Sequence, residues 1–288
     1  MAEQAFYKLY NHIGILSKYL NLPQKAIKKV CKWDHGWTPL DKPLVKELSS
    51  PKNIVLVWSK RRKKIIEDHT SKKAFITGVP FMEYRKRHGI TKKNQAKGNV
   101  FFAAHSSQQT DIRYNVDDLQ RHIDQLPEAY KPTTICLYWL DIDKGYQVLY
   151  ERLGYEVVTA GDPYSPEFVR KFYEILSSHA YCSSNSFGTY SLYALDLDIP
   201  FFLIGEKPEL VNNGDKNLSL DRGQAFFDIK ERVETLFRYQ GNEIGIGDPQ
   251  RTFFLEETGE NDKDSTFSIR AWILFYWIKS RIIPLKRR

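Results

Sequence analysis

Cysteine is scarce in this 288-residue chain. Cys31, Cys136 and Cys182 are too few and too far apart for a disulfide framework or a metal knuckle. Cys136 and Cys182 fall in apolar, strand-like runs, which predicts buried free thiols and fits a reducing compartment. No run approaches the roughly 20 apolar residues of a membrane-spanning helix, and the first residues are polar, without the apolar centre of a secretory leader. A cytoplasmic protein is expected, at most peripheral on the inner membrane face. There is no P-loop and no G-x-G-x-x-G, and His105-Ser106-Ser107 is not the G-x-S-x-G of a hydrolase elbow. Nucleic-acid motifs are missing too. The aromatics follow strand and helix periods rather than a basic stripe, so no nucleic-acid partner is expected.

Acidic residues are the scarcer charge, 35 against 43 Lys and Arg, for a net charge of +8. That balance points to an acidic partner, a phosphorylated substrate or an anionic membrane surface. What the chain does have is apolar residues, 42%, with 14% aromatic. This suffices for two modest α/β domains or one large one.

The most informative stretch is 178–206. A short apolar piece (Ala180, Tyr181, Cys182) passes through Ser183-Ser184-Asn185-Ser186 to Gly188. A helix-length segment follows, then Pro200 and an apolar strand ending in Gly205-Glu206. Strand, Gly/Ser turn, helix and strand form the unit of a parallel sheet. Hydroxyls, an amide and a glycine crowd the helix N-terminus, where free N–H groups and the dipole favour an anion. Ser and Asn are also the ordinary N-cap residues. Four of them, with Thr189 and Ser191 beside, exceed what one cap needs.

Periodicity predicts helix over 2–32, broken at Pro23, and an aromatic loop Trp33-Asp34-His35-Gly36-Trp37. Buried strands are expected at 53–58 and 74–76, with the basic run 59–64 between them and a basic helix and linker over 85–97. From Asn99 strand and helix alternate: strands at 100–104, 133–139, 156–159 and 201–204, helices at 116–126 and 166–177, and another helix ending at Leu153 before Gly154. Such alternation is that of a doubly wound parallel sheet. Five polar loops, HSSQQTD, LDIDKG, TAGDPY, SSNSFGT and GE, end its strands, so they should converge on one crevice. Beyond Glu209 a helix is expected at 224–239, a Gly- and acid-rich loop at 241–259 and an amphipathic helix at 267–288 ending near Pro284. That last helix could pack across the N-terminal domain. It could also lie in a bilayer interface, Trp272, Phe275, Tyr276 and Trp277 at headgroup depth and Lys286-Arg287-Arg288 on anionic lipid. The division read is 1–97, a small N-terminal α/β domain on the acceptor side; 98–240, a Rossmann-like donor-binding domain; and 241–288, loop and helix.

The order of motifs is distinctive: His35-Gly36, a strand with a basic run, Gly78-Val79-Pro80, a strand ending in His105-Ser106, then Ser184-Asn185-Ser186-Phe187-Gly188 and Ile199-Pro200. Over residues 33–206 it resembles the bacterial cell-surface glycan transferases of GT-B architecture. It is similar to the CDP-glycerol glycerophosphotransferases and the related capsule enzymes using CMP-activated sugars, and it also looks like proteins encoded among polysaccharide-biosynthesis genes. The resemblance implies a glycosyltransferase-like enzyme of polysaccharide biosynthesis. It would move a sugar or glycerol-phosphate-type group from a nucleotide-activated donor (a substrate, with no cofactor) to a cell-surface glycan or lipid-linked acceptor. It also implies His35 as base on the acceptor hydroxyl, and Ser184, Ser186 and Thr189 on the donor phosphates.

Such a transfer needs a base, stabilisation of the leaving phosphate and exclusion of water. His35 suits the first, oriented by Asp34 or Asp111, although a His in an aromatic loop is often structural. His105, with Ser106 and Ser107, suits contact with the leaving phosphate as well as plain loop hydrogen bonding. Asn185, Gly188 and Glu206 complete the expected donor site. Lys60, Arg61 and Arg62 could neutralise phosphate or form a solvated face. Asp141 and Asp143 are read as turn formers rather than metal ligands, and no metal is expected. The alternatives are a non-catalytic nucleotide- or glycan-binding protein of the same pathway, and a hydrolase of a phosphorylated sugar.

Overall fold

The computed structural model describes residues 9–214, 227–241 and 244–282. Two helices, His12–Leu20 and Gln24–Val30, lead into strand β1 (Cys31–Trp33). The expected helix to residue 32 stops two residues early. Cys31 and Trp33 alternate with Lys32, so an extended backbone buries both apolar side chains and pairs with β2 (Ile54–Val57). Helix Lys60–His69 crosses over to β3 (Lys73–Ile76). The three strands are parallel in the order β1-β2-β3. Central β2, Ile-Val-Leu-Val, is buried throughout because both sheet faces are covered.

Helix Pro80–Arg87 and an irregular link precede β4 (Asn99–Phe102). Next come β5 (Thr110–Arg113), β6 (Thr133–Cys136), β7 (Glu156–Val158), β8 (Tyr181–Ser184), β9 (Phe201–Leu203) and β10 (Glu209–Asn212). The second sheet is all parallel, ordered β7-β6-β4-β8-β9. The chain moves outward from β4 to β7 and then returns to β8 on the other side. The strand order therefore reverses between β4 and β8. Strands β5 and β10, both inside stretches read as loop, form an antiparallel ribbon. Neither has the apolar alternation that would mark it, because its backbone partner supplies the order. The strand expected over 133–139 stops at Cys136, and a short helix, Trp139–Asp143, runs into the loop expected over 140–145.

Helix Asp248–Thr258 replaces the loop expected over 241–259. Its glycines stand at its ends rather than inside it. The Gly247 N–H donates to Gln250 Oε1, 2.7 Å, and Gly259 closes the helix at φ 60°. A Cβ on Gly259 would collide with the Trp58 carbonyl oxygen, so this turn presses directly on the end of β2. Helix Phe227–Phe237 packs beside it; residues 215–226, where the expected helix began, lie outside the described residues. Helix Thr266–Ile282 lies against Gln24–Val30, and its Ile269 and Ile273 enter a cluster with Leu16, Leu20, Ile27 and Trp33. Residues 283–288 again lie outside the described residues.

One large core joins the two sheets. Trp58, Val79, Phe81 and Met82 from the first side pack with Val100, Phe102, Phe172 and Tyr193 from the second, and Phe81 stacks on Tyr193 at 4.8 Å. All three thiols are buried and free, and burial pushes each one up, away from the reactive thiolate. No described helix is long and apolar enough to cross a membrane.

Candidate functional site

The C-terminal ends of β1 and β8 meet. The loop leaving β1 turns at Gly36, and the Trp37 N–H donates to Thr189 Oγ1, 3.0 Å, at the first residue of helix Thr189–Asp196. A Cβ on Gly36 would stand 3.3 Å from that oxygen. The Trp37 ring lies 4.9 Å from Phe187. The two motifs singled out in the sequence, 152 residues apart, thus share one seam between the sheets.

The turn after β8 is held from inside. Ser184 is fully buried; its hydroxyl accepts the Ser186 N–H at 3.1 Å and pairs with the Tyr190 hydroxyl at 2.8 Å. Tyr190 OH also donates to the Ser186 carbonyl, 2.5 Å, while its ring stacks on Phe102. Gly188 is extended (φ −140°), a conformation open to any residue; it is excluded from bearing a Cβ by Tyr190 Cε1, which would be 2.6 Å away. Ser184 therefore shapes the turn, and the Ser186 hydroxyl makes no hydrogen bond among the described residues.

Asn185 stands where the strand order reverses. Its Oδ1 accepts the Ala104 N–H from the end of β4, 3.1 Å, which fixes the amide orientation because the alternative would set two donors face to face. Only 2% of Asn185 is exposed, and its Nδ2 has no hydrogen-bond partner among the described residues. A buried donor left unmade costs about 1–3 kcal/mol, a cost that a hydrogen-bond acceptor at this position would remove.

The remaining loops are mostly self-bracing. The Ser106 N–H donates to the Asp141 carboxylate, 3.3 Å to each oxygen, and its hydroxyl accepts the Ile112 N–H. Burial holds Asp141 above the usual carboxylate range, partly offset by those Ser106 bonds. The Ser107 hydroxyl pairs with Thr110 Oγ1 and accepts the Gln109 N–H. His105 is exposed, its ring 4.4 Å from Tyr138 and its Nδ1 donating to the Ser106 carbonyl, 2.9 Å. Glu206 is exposed beyond β9. A hollow of about 490 Å³ near Ile123, Pro132 and Tyr155 lies at the other edge of the second sheet, where β6 and β7 begin, away from these loops.

His35 is half-buried, with Lys46 Nζ 3.0 Å from Nδ1. Burial first, then the Lys46 charge, hold its pKa well below the usual imidazole range, so the ring is neutral at physiological pH. Neither expected orienter reaches it. Asp34 turns into the core, accepts the Trp58 N–H at 3.3 Å and binds Arg62 Nη2 at 3.1 Å; the same nitrogen binds Glu47 Oε1 at 2.6 Å. Asp111 is held by Lys144 and by Asn213 Nδ2 on the β5–β10 ribbon. Asp34 is thus part of a buried ion triad that positions the loop. Lys46 belongs to no motif, and Tyr190 looks in the sequence like one more apolar residue of a helix, so neither signals its place in the seam.

The basic run 60–64 is split: Arg62 is buried and Arg61 and Lys63 are half-buried, while the Lys60 and Lys64 side chains are 73% and 77% exposed, as on a solvated face. Each member has an acidic partner: Lys60–Asp262, Arg61–Glu257, Arg62–Asp34/Glu47, Lys63–Asp264 and Lys64–Asp68. Three of these pairs fasten the C-terminal segment to the first sheet. Asp264 also exchanges backbone-edge hydrogen bonds with Ile76, covering the outer edge of β3. Arg61 further donates to the carbonyls of Thr38 and Leu40, and Glu257 accepts from Trp37 Nε1, so the same network sets the loop carrying His35.

What fold and site define is an α/β protein of two parallel sheets with a polar seam between their strand ends. Compared with known families and with characterised proteins, the chain matches no family model and no curated relative.

Proposed function

We propose that the chain is a GT-B-like transferase of cell-surface polysaccharide assembly, taking a sugar or glycerol-phosphate-type group from a nucleotide-activated donor. The observation that carries this reading is the unpartnered Asn185 amide beside the helix that starts at Thr189, against which the His35 loop is seated. Dinucleotide- and nucleotide-type ligands of open α/β sheets bind where the strand order reverses, with phosphate at a helix N-terminus. Asn185 Nδ2, the Ser186 hydroxyl and the N–H groups opening that helix would hold the donor phosphates. Neutral His35 would take the proton of the acceptor hydroxyl as that oxygen bonds to the transferred carbon or phosphorus. The bond to the nucleotide breaks, and the leaving phosphate keeps the electron pair under the stabilisation of the same donors and of Lys46.

The second reading, a nucleotide-binding protein without turnover, draws on Lys46 at the His35 ring and on Asp34 being withdrawn into the Arg62 triad. A thermal-shift screen against CMP, CDP, UDP, GDP and their activated sugars tests both, because a ligand bound by the native state alone raises the melting temperature. A selective shift that disappears in Asn185→Ala supports the site. His35→Ala should keep the shift and lose turnover if the protein is a transferase. No shift with any nucleotide would remove both readings.

A further inference from the structure

Helix Thr266–Ile282 is apolar on the face it turns outward. Ile269 and Ile273 point into the core, yet Phe267 (74%), Trp272 (38%), Phe275 (54%), Ile278 (53%) and Ile282 (73%) are exposed. At 100° per residue these five fall on one side of the helix, a continuous strip about four turns long. They account for most of the exposed large apolar side chains among the described residues. A strip of this kind on a soluble surface marks a binding face.

Charge says which partner it fits. From Ser265 to the end the sequence contains no acidic residue, while Arg270, Lys279 and Arg281 stand on the helix. Lys25 and Lys29 are exposed on the helix against which it packs, with Lys25 Nζ 6.0 Å and the Arg281 guanidinium 4.1 Å from the Trp277 ring. Trp272, Phe275 and Tyr276 cluster with ring centres 5.3 to 6.2 Å apart, giving the face an amphipathic aromatic group. A second copy of this chain would bring the same cations, on a protein of net charge +8, against each other. An anionic lipid surface matches both features, accepting apolar and aromatic side chains at headgroup depth and pairing the cations with phosphate.

We infer that this helix docks the protein flat on an anionic membrane surface, through Phe267, Trp272, Phe275, Ile278 and Ile282, with Lys279 and Arg281 on the headgroups. The segment before it is tied to the first sheet by Lys63–Asp264 and Lys60–Asp262, so docking carries the whole molecule rather than a loose tail. The inference is independent of nucleotide binding.

Co-sedimentation of the full chain with vesicles tests it, using phosphatidylcholine alone and phosphatidylcholine with phosphatidylglycerol at about 2:1. Binding is expected only to the mixed vesicles and should weaken with salt. At about 1 kcal/mol per cation, Lys279→Glu/Arg281→Glu should weaken it by at least tenfold. Phe275→Ser/Ile278→Ser should do the same at unchanged melting temperature, since both side chains lie outside the core. A blue shift of tryptophan emission on binding should shrink in Trp272→Phe. Equal binding to neutral vesicles, no binding by the wild type, or full binding by Phe275→Ser/Ile278→Ser would overturn the proposal. So would a concentration-dependent dimer, abolished by the serine pair, in a protein that ignores both vesicles.

Discussion

Acidification from about pH 8 to about pH 5 should cost the native state roughly 2 kcal/mol through one side chain, His12. His12 is 1% exposed at the start of helix His12–Leu20, its ring 5.7 Å from Tyr10 and 5.5 Å from Phe81. Neither ring nitrogen has a hydrogen-bond partner among the described residues. Burial lowers its pKa from 6.5 to about 3, with no opposing charge to restore it. The unfolded chain therefore binds a proton below about 6.5 that the folded chain refuses until about 3. Stability is complete above the upper value and is lost as pH falls between the two. At about pH 5 the gap from 6.5 is roughly 1.5 units, and at about 1.4 kcal/mol per unit this gives the stated loss. By about pH 3 the loss is about 4 kcal/mol, near the whole stability of a marginal domain. Urea unfolding of wild type and His12→Leu at both pH values measures it. Taking the pH difference within each protein cancels the packing cost of the substitution. His12→Leu should lose most of the pH dependence, and His35, also lowered, accounts for part of what remains. An identical pH dependence in the two proteins would refute the reasoning.

Two other sites make stability predictions that urea unfolding can check. Arg62→Met leaves Asp34 and Glu47 buried without their cation and should destabilise by about 3–5 kcal/mol at neutral pH. Because burial already holds Glu47 above the ordinary carboxylate range against the pull of Arg62, that penalty should shrink as acid protonates Glu47. Gly259→Ala combines a left-handed φ with overlap on the Trp58 carbonyl and should cost about 2 kcal/mol or more, whereas Gly89→Ala, equally left-handed but in open space, should cost less.

The sequence by itself determined the local alphabet of this fold. Buried parallel strands read as short apolar runs, so β2, β4, β6 and β9 were legible, and the polar loops at their ends located the seam, because a parallel sheet puts all those ends on one edge. The Ser184–Gly188 turn was visible for the same reason: small residues between strand and helix are a local signal. Tertiary structure decided what depends on distant partners. Cys31–Trp33, Thr110–Arg113 and Glu209–Asn212 become strands only because another backbone lies beside them. The basic run meets Glu257, Asp262 and Asp264 some 200 residues later, and Asp34 is captured by Arg62 instead of orienting His35. A buried cation takes the nearest carboxylates in space, and no spacing in the sequence records which those will be.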